Sequence, residues 1–476
     1  MSDLTGREAE RSRTTVDVDV VVIGAGPVGE NVADRAHQQG LSAAVVEAGL
    51  VGGECSYYAC IPSKALLRPV DLLAATHRVP GVEAGPIDVA KVLARRDQFA
   101  DPDDSGQADW LSGAGITLLR GHGRLAGERA VEVAHDDGTT TSVAARYVVV
   151  ATGSVPSHPP VDGIDDVGAW TNRDATQVKD IPASLLILGG GVVGVEMATA
   201  YQRLGAQVTL VQHGERLLPT TEPEAGRRVG AALEADGVDV RLGVSMRGVR
   251  RDGGEVVASL DDGSEVRGAE LLVAAGRRST TDDLGLETVG LEPGPLAADD
   301  STTVLGDWLY AVGDASTGAK LTHMGKYQAR ICGDVIAARA HGTELGGRYS
   351  HHAATAEHTA VPQVIFSDPQ VAAVGHTEAS ARDAGLPVRT VSYEIGNTAG
   401  GALQADGYDG FATLVVDTER EIVVGATFVG QDVADMVHGA TIAIVGEVPL
   451  SRLWHAVPSF PTMSEVWLRL LEAYGM

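Results

Sequence analysis

Residues 17–23 form a short run of β-branched apolar positions that stops at Gly24-Ala25-Gly26-Pro27-Val28-Gly29. Apolar positions then recur at helical spacing as far as Gly40, and a second apolar run, 43–46, ends on Glu47. Periodicity of this kind predicts strand, glycine turn, helix and strand in that order. The order returns further on. Residues 185–188 lead into Gly189-Gly190-Gly191-Val192-Val193-Gly194, a helical stretch closes near Gly205, and the run 208–211 ends on Gln212.

The chain between these two units reads as alternating strands and turns, ending in Val148-Val149-Val150-Ala151-Thr152-Gly153-Ser154. Pro156, Pro159 and Pro160 follow as a linker. Residues 271–277 predict a strand meeting a glycine turn at Gly276, and 309–312 predict another leading into Gly313-Asp314. From about Val361 the pattern changes to short strands, among them 412–416 and 421–428, followed by two helical runs. This last part lacks a glycine fingerprint and reads as a separate α+β domain that packs on another domain or subunit.

The glycine turns carry chemistry. In such a turn the first two glycines allow a tight bend and close approach to a pyrophosphate, and the third lets helix pack on strand. The helix N-terminus then faces the phosphates with its partial positive charge. Glu47 stands 18 residues after Gly29, where a carboxylate takes a ribose hydroxyl; Gln212 stands 18 after Gly194. Two such units imply two bound dinucleotides, hence electrons moving between carriers.

A second chemical stretch is Gly52-Gly53-Glu54-Cys55-Ser56-Tyr57-Tyr58-Ala59-Cys60-Ile61-Pro62-Ser63-Lys64, with two of the three cysteines of the chain. A regular helix would set those two residues about 7.5 Å apart along its axis, beyond the ~4.4–6.8 Å that a disulfide tolerates. Either the two do not pair or the opening turn is distorted. The glycine pair and Pro62 favour distortion, and with it a disulfide that opens and closes.

Composition narrows the setting. A chain of 476 residues, 44% apolar and 21% charged, fits a globular protein of about three domains. The net charge of −27 argues against nucleic acid or an anionic membrane as partner. No uninterrupted apolar stretch of about 20 residues marks a membrane span. Residues 1–16 read as a loose polar tail without the apolar core of a signal peptide. Three cysteines in so long a chain do not make a secreted scaffold, so a cytoplasmic enzyme is expected, with no metal site.

Taken together, these residues resemble the flavoprotein disulfide reductases, the family of dihydrolipoamide dehydrogenase, glutathione reductase and mercuric reductase. The resemblance runs from about Asp17 to the C-terminus. It rests most specifically on the cysteine pair with four residues between, followed by Ile61-Pro62-Ser63-Lys64. Ala151-Thr152-Gly153, Ala275-Gly276-Arg277, Tyr310-Ala311-Val312-Gly313-Asp314 and Pro461-Thr462-Met463-Ser464-Glu465 support it in order. The implied fold is α/β, with two Rossmann-like dinucleotide-binding domains and a C-terminal α+β dimerisation domain. The implied division is FAD at 17–155 and 281–350, NAD(P)H at 156–280, and the dimer interface at 351–476.

The resemblance further implies FAD at Gly24, Gly26, Gly29 and Glu47, with Gly53, Lys64, Thr152, Gly153, Gly313, Asp314 and Thr322 around it. Asp314 would hold the ribityl chain, and the helix after Thr322 would face the flavin's pyrimidine end. NADPH or NADH would lie at Gly189, Gly191, Gly194, Gln212, His213, Gly276 and Arg277. Gln212 in place of an acid, with His213 and Arg216 after it, leans towards NADPH. The implied catalytic residues are Cys60 as charge-transfer thiolate, Cys55 as interchange thiolate, Lys64 paired with Glu196, and Glu465. A homodimer acting on a small-molecule electron acceptor follows, while Cys332, in the helical run 327–340, reads as packing.

The chain also departs from the family. Its disulfide-reducing members carry a histidine immediately before the Pro-Thr of the C-terminal motif, as acid and base for the interchange thiol. Here that position is Phe460, although Glu465 remains. General acid–base help is worth about 10²–10⁴ in rate. A quinone or metal ion, which needs no such histidine, is therefore the alternative acceptor. Tyr57, Tyr58, His323 and His455 are the substitutes on paper, each read first as packing. Tyr57 and Ala59 replace the usual Asn and Gly between the cysteines. The extra C-terminal cysteine pair of mercuric reductase is absent, so mercury reduction of that kind is not expected.

Overall fold

A computed structural model describes residues 13–476 and divides them into two compact units. The expected tail lies outside the described residues as far as residue 12. Its last four residues, 13–16, instead open the first strand, Arg13–Ile23, which pairs with Thr140–Val150 from Arg13 onward.

The first unit comprises the described residues up to Tyr57, with Pro102–Val155 and Arg278–Thr355. Its 8-stranded sheet runs, edge to edge, through Thr303–Leu305, Leu309–Ala311, Thr140–Val150, Arg13–Ile23, Ala43–Glu47 and Thr117–Arg120, with the hairpin His122–Leu125 and Ala130–Ala134 branching from Thr140–Val150. The central strands are parallel and in register at one end: Ile23 lies opposite Val46 and Val150, and Ala311 opposite Val150. Alternate residues feed two cores. Val20, Val22, Val45 and Val149 pack under helices Gly29–Gln38 and Thr322–Ala340, while Val21, Ile23, Val148 and Val150 face Leu125, Val131 and Leu309. Hence everything that follows a strand's carboxyl end (Gly24, Glu47, Thr152, Gly313) emerges along one edge of the sheet, where α/β proteins bind ligands.

The second unit comprises Tyr58–Asp101, Pro156–Arg277 and Ala356–Met476. Its parallel sheet is ordered Asp239–Leu242, Gln207–Gln212, Ser184–Leu188, Glu270–Val273. A three-stranded antiparallel sheet, Met246–Asp252 to Gly268, stands beside it in the chain. The C-terminal part is a 5-stranded antiparallel sheet ordered Pro362–Ile365, Gln370–Gly375, Ile422–Gly430, Phe411–Asp417, Val388–Glu394, with helices Met436–Val445 and Val466–Tyr474 in its core. Ile365, Val371 and Val429 of this sheet share a core with Leu185, Ile187 and Val195.

Two local expectations change. The segment between the fingerprints opens with helices, Cys60–Thr76, Val89–Ala100 and Ser105–Gly113, and only then becomes strands and turns. Residues 58–101 also cluster with the second unit rather than with the rest of 17–155. The reason is apolar: Leu66, Leu67 and Val70 bury against Ala200 and Leu204 of the second fingerprint helix, and each such side chain contributes about 1.5–3 kcal/mol. No helix among the described residues is long and apolar enough to cross a membrane.

Candidate functional site

The two glycine turns are built alike. Gly24 has φ +101° and a Cβ there would sit 2.4 Å from the Ala151 carbonyl oxygen; Gly189 has φ +112° and would meet Ala274 O at 2.5 Å. A Cβ on Gly29 or Gly194 would lie 1.9 Å from the carbonyl oxygen of Gly24 or Gly189. The middle glycines differ: beyond Gly26 there is only Gly53 Cα at 4.0 Å, and beyond Gly191 nothing within 4 Å. Each turn is thus closed towards its own strand and helix and open on the side where a pyrophosphate would approach.

In the first unit, Glu47 Oε2 accepts from Ala25 N at 2.7 Å and Oε1 from Gly49 N at 2.7 Å, which turns the carboxylate into the glycine loop. Gly53, at φ +57°, packs against Gly26, where a Cβ would come within 2.9 Å of its Cα. Thr152 Oγ1 and Glu30 Oε1 are buried without a hydrogen-bond partner. Burial pushes the Glu30 carboxyl up to about 7, Lys326 opposing and Glu47 adding to the rise. Ser154 Oγ donates to Asp314 Oδ2 at 2.5 Å, and Gly313 N donates to Gln328 Oε1 at 2.6 Å. The open turn and the orphaned Thr152 hydroxyl fit a dinucleotide such as FAD. Thr322, the first residue of its 19-residue helix, donates from Oγ1 to Cys55 Sγ at 3.4 Å. Cys55 is half-buried, at a helix N-terminus that favours a thiolate. Cys332 is fully buried, its thiol pushed up to about 12 by that burial, which leaves it the packing role expected.

The expected distortion of the cysteine segment is present. One short helix, Gly53–Tyr57, ends before the second cysteine; Ala59 leaves the helical region (φ −134°, ψ −92°), and Cys60–Thr76 begins anew with Pro62 in its first turn. Cys60 therefore heads a 17-residue helix. One turn on, Lys64 Nζ lies 2.7 Å from Glu196 Oε2 and 5.0 Å from the centre of the Phe366 ring. Glu196 Oε1 accepts from Phe366 N at 2.9 Å. That backbone donor has no mark in the sequence.

Gln212 copies Glu47: its Oε1 accepts from Gly190 N at 2.9 Å, and its side chain is buried. His213 is exposed, while Arg216 donates from Nη2 to Pro219 O at 2.6 Å and keeps Nη1 buried without a partner. Gly276 has φ +106°, and Arg277 Nη1 donates to Asn172 Oδ1 at 3.0 Å. Phe460 is 78% exposed. Glu465, buried, accepts from Ala399 N at 3.2 Å and from Arg469 Nη2 at 2.6 Å. Of the substitutes for the histidine, Tyr57 is buried and donates to Val51 O at 3.0 Å, Tyr58 lies under the Arg173 guanidinium at 4.7 Å, and His323 and His455 are exposed.

Two dinucleotide turns, a cysteine at each of two helix starts and a lysine–glutamate pair beside one of them define a two-cofactor redox protein. Residues 18–329 match the family described as pyridine nucleotide-disulphide oxidoreductase, and 361–470 match the dimerisation domain of the same family. The chain is 31% identical over 468 residues to a dihydrolipoyl dehydrogenase of Haloferax volcanii, covering 95% of each. It is 34% identical over 473 residues to that of Thermus scotoductus, covering 96% of this chain and 97% of the relative. It is 32% identical over 463 residues to a mercuric reductase of Streptomyces lividans, covering 94% of each. Among solved structures, LpdA from Mycobacterium tuberculosis shares the fold with a TM-score of 0.83 at 23% identity, covering 96% of this chain and 100% of that one. The chain belongs to the pyridine nucleotide-disulphide oxidoreductases. It is accordingly an enzyme, an FAD-dependent NAD(P)H oxidoreductase of the disulfide type.

Proposed function

We propose that this enzyme moves electrons from NADPH to a small-molecule disulfide through Cys55 and Cys60, as a cytoplasmic homodimer. In this reading 17–155 and 281–350 hold FAD, 156–280 hold the nicotinamide cofactor, and 351–476 form the subunit interface. The observation that carries it is the Lys64–Glu196 pair, which ties the helix headed by Cys60 to the helix of the second glycine turn. When bound, FAD supplies the exchange between hydride and thiol chemistry.

The chain's own residues then divide the work. Gly24, Gly26, Gly29, Glu47, Gly53, Thr152, Gly153, Gly313, Asp314 and Thr322 seat FAD, with Lys64 beside it. Gly189, Gly191, Gly194, Gln212, His213, Gly276 and Arg277 seat the nicotinamide cofactor. Cys55 thiolate attacks one sulfur of the acceptor disulfide and expels the other as a thiolate. Cys60 thiolate next attacks Cys55 Sγ, which closes the protein disulfide and releases the second acceptor thiolate. The two protons come from solvent, because Phe460 can give none and Glu465 is taken up by Arg469 and Ala399.

A second reading rests on that same exposed Phe460: a quinone or metal ion accepts electrons without enzyme-bound proton transfer. The two readings separate on Cys55→Ser, assayed with lipoamide and with a soluble benzoquinone. Loss of lipoamide reduction with quinone reduction retained, and wild-type lipoamide turnover above the quinone rate, supports the disulfide acceptor. Negligible lipoamide turnover in the unmodified enzyme hands the function to the quinone reading.

A further inference from the structure

Helix Asn172–Gln177 is too short to be a binding element, yet it holds the cysteine segment at one atom. Asn172 Nδ2 donates to the Tyr58 carbonyl oxygen at 2.8 Å, and Thr176 Oγ1 donates to the same oxygen at 3.0 Å. Asn172 and Thr176 are both buried, at 6% and 1% exposed. Arg173, between them, stacks its guanidinium on the Tyr58 ring at 4.7 Å.

The helix is itself fixed at both ends. A capping box of Thr171 and Asp174 closes its start, with Thr171 N donating to Asp174 Oδ2 at 2.7 Å. At its far end the fully buried Arg96 guanidinium donates to the carbonyl oxygens of Thr176 and, at 2.7 Å, Val178. Arg277 donates to Asn172 Oδ1 at 3.0 Å, so one amide answers both Arg277 and the cysteine segment.

The oxygen so held belongs to the peptide joining Tyr58 to Ala59, and Ala59 is the residue from which the Cys60 helix starts. Two donors on one carbonyl fix the plane of that peptide, and with it where Cys60 begins its helix. We infer that Asn172 and Thr176 are positioning residues for Cys60: they hold its side of the redox pair in place while the disulfide opens and closes. A Cys60 held this way keeps the closed pair favourable, because the reduced segment gains little freedom on opening. Releasing the carbonyl lets the dithiol form relax and makes the pair easier to reduce. The inference rests on Cys55 and Cys60 being a redox couple.

The test is the midpoint potential of that couple in the FAD-loaded protein, poised in dithiothreitol buffers and read by alkylation and peptide mass. Thr176→Val is nearly isosteric and removes one donor. Asn172→Asp keeps an acceptor for Arg277 and turns an oxygen on the Tyr58 carbonyl. Each should shift the thiol–disulfide equilibrium about tenfold towards the dithiol, ~30 mV for two electrons, and Thr176→Ser should restore it to within about twofold. Should Asn172→Asp fail to fold, Thr176→Val decides alone. A reversible couple that Thr176→Val leaves where it was overturns this inference and spares the proposed function; absence of any reversible couple in the unmodified protein overturns both.

Discussion

Lys64 Nζ meets Glu196 Oε2 at 2.7 Å, and the other oxygen of that carboxylate is held by the backbone of Phe366. The glutamate side chain is 4% exposed against 36% for the lysine, so the pair is wet at one end only. Removing the lysine strands a buried carboxylate, whereas removing both charges does not. Lys64→Met should therefore lower the stability read by urea unfolding by roughly 1.5–3 kcal/mol. Lys64→Met with Glu196→Gln should recover part of that loss, which a double-mutant cycle will show.

In the proposed assignment the third glycines distinguish the two cofactors. Gly29→Ala and Gly194→Ala each drive a Cβ to 1.9 Å from a carbonyl oxygen. Gly29→Ala should purify with little FAD, visible as lost absorbance near 450 nm. Gly194→Ala should keep its FAD but lose NAD(P)H-dependent bleaching. Equal FAD content in both variants would contradict the assignment of the two turns.

In the proposed function Gln212 bears on the choice of nucleotide. Its oxygen is committed to Gly190 N, so the remaining polar group of its head is an amide nitrogen, a donor suited to a phosphate rather than an acceptor for a ribose hydroxyl. Stopped-flow flavin reduction should be faster with NADPH at low nucleotide concentration. Gln212→Glu should weaken NADPH about tenfold or more and leave NADH equal or better.

Glu30 should make the protein less stable as the pH rises. Its carboxyl is raised from 4.5 to about 7 by burial, with Lys326 lowering and Glu47 raising it. The folded form thus keeps a proton that the unfolded form has already released. Stability then falls from about pH 4.5 to about pH 7 and levels off above, a loss of up to roughly 3 kcal/mol. Glu30→Gln should remove that slope, so its thermal midpoint should exceed the parent's at pH 8 and approach it at pH 4.5.

Much of this was legible in the chain because it is written as side-chain pattern. Glycines at fixed spacing marked both turns, apolar runs marked the strands that feed them, and Gly52, Gly53 and Pro62 foretold a distorted opening turn at the cysteines. What escaped lies in the backbone or in packing. The donor to Glu196 is the N–H of Phe366, the atom that Asn172 and Thr176 hold is a carbonyl oxygen, and no residue type advertises either. Helices 60–76 and 89–100 were hidden because their apolar positions answer to Ala200 and Leu204, more than a hundred residues away.

The two turns also serve as each other's reference. Their closing contacts agree to within about a tenth of an ångström, and the side chains at Glu47 and Gln212 reach back to the same place in each loop. An oxygen meets the loop in both; what distinguishes the two side chains is the other head atom, an oxygen in Glu47 and a nitrogen in Gln212. A single polypeptide thus contains two closely similar loops whose reaching side chains differ at that one head atom. Exchanging that atom in both loops at once, Glu47→Gln with Gln212→Glu, weighs its chemistry in two pockets under identical solvent, temperature and chain.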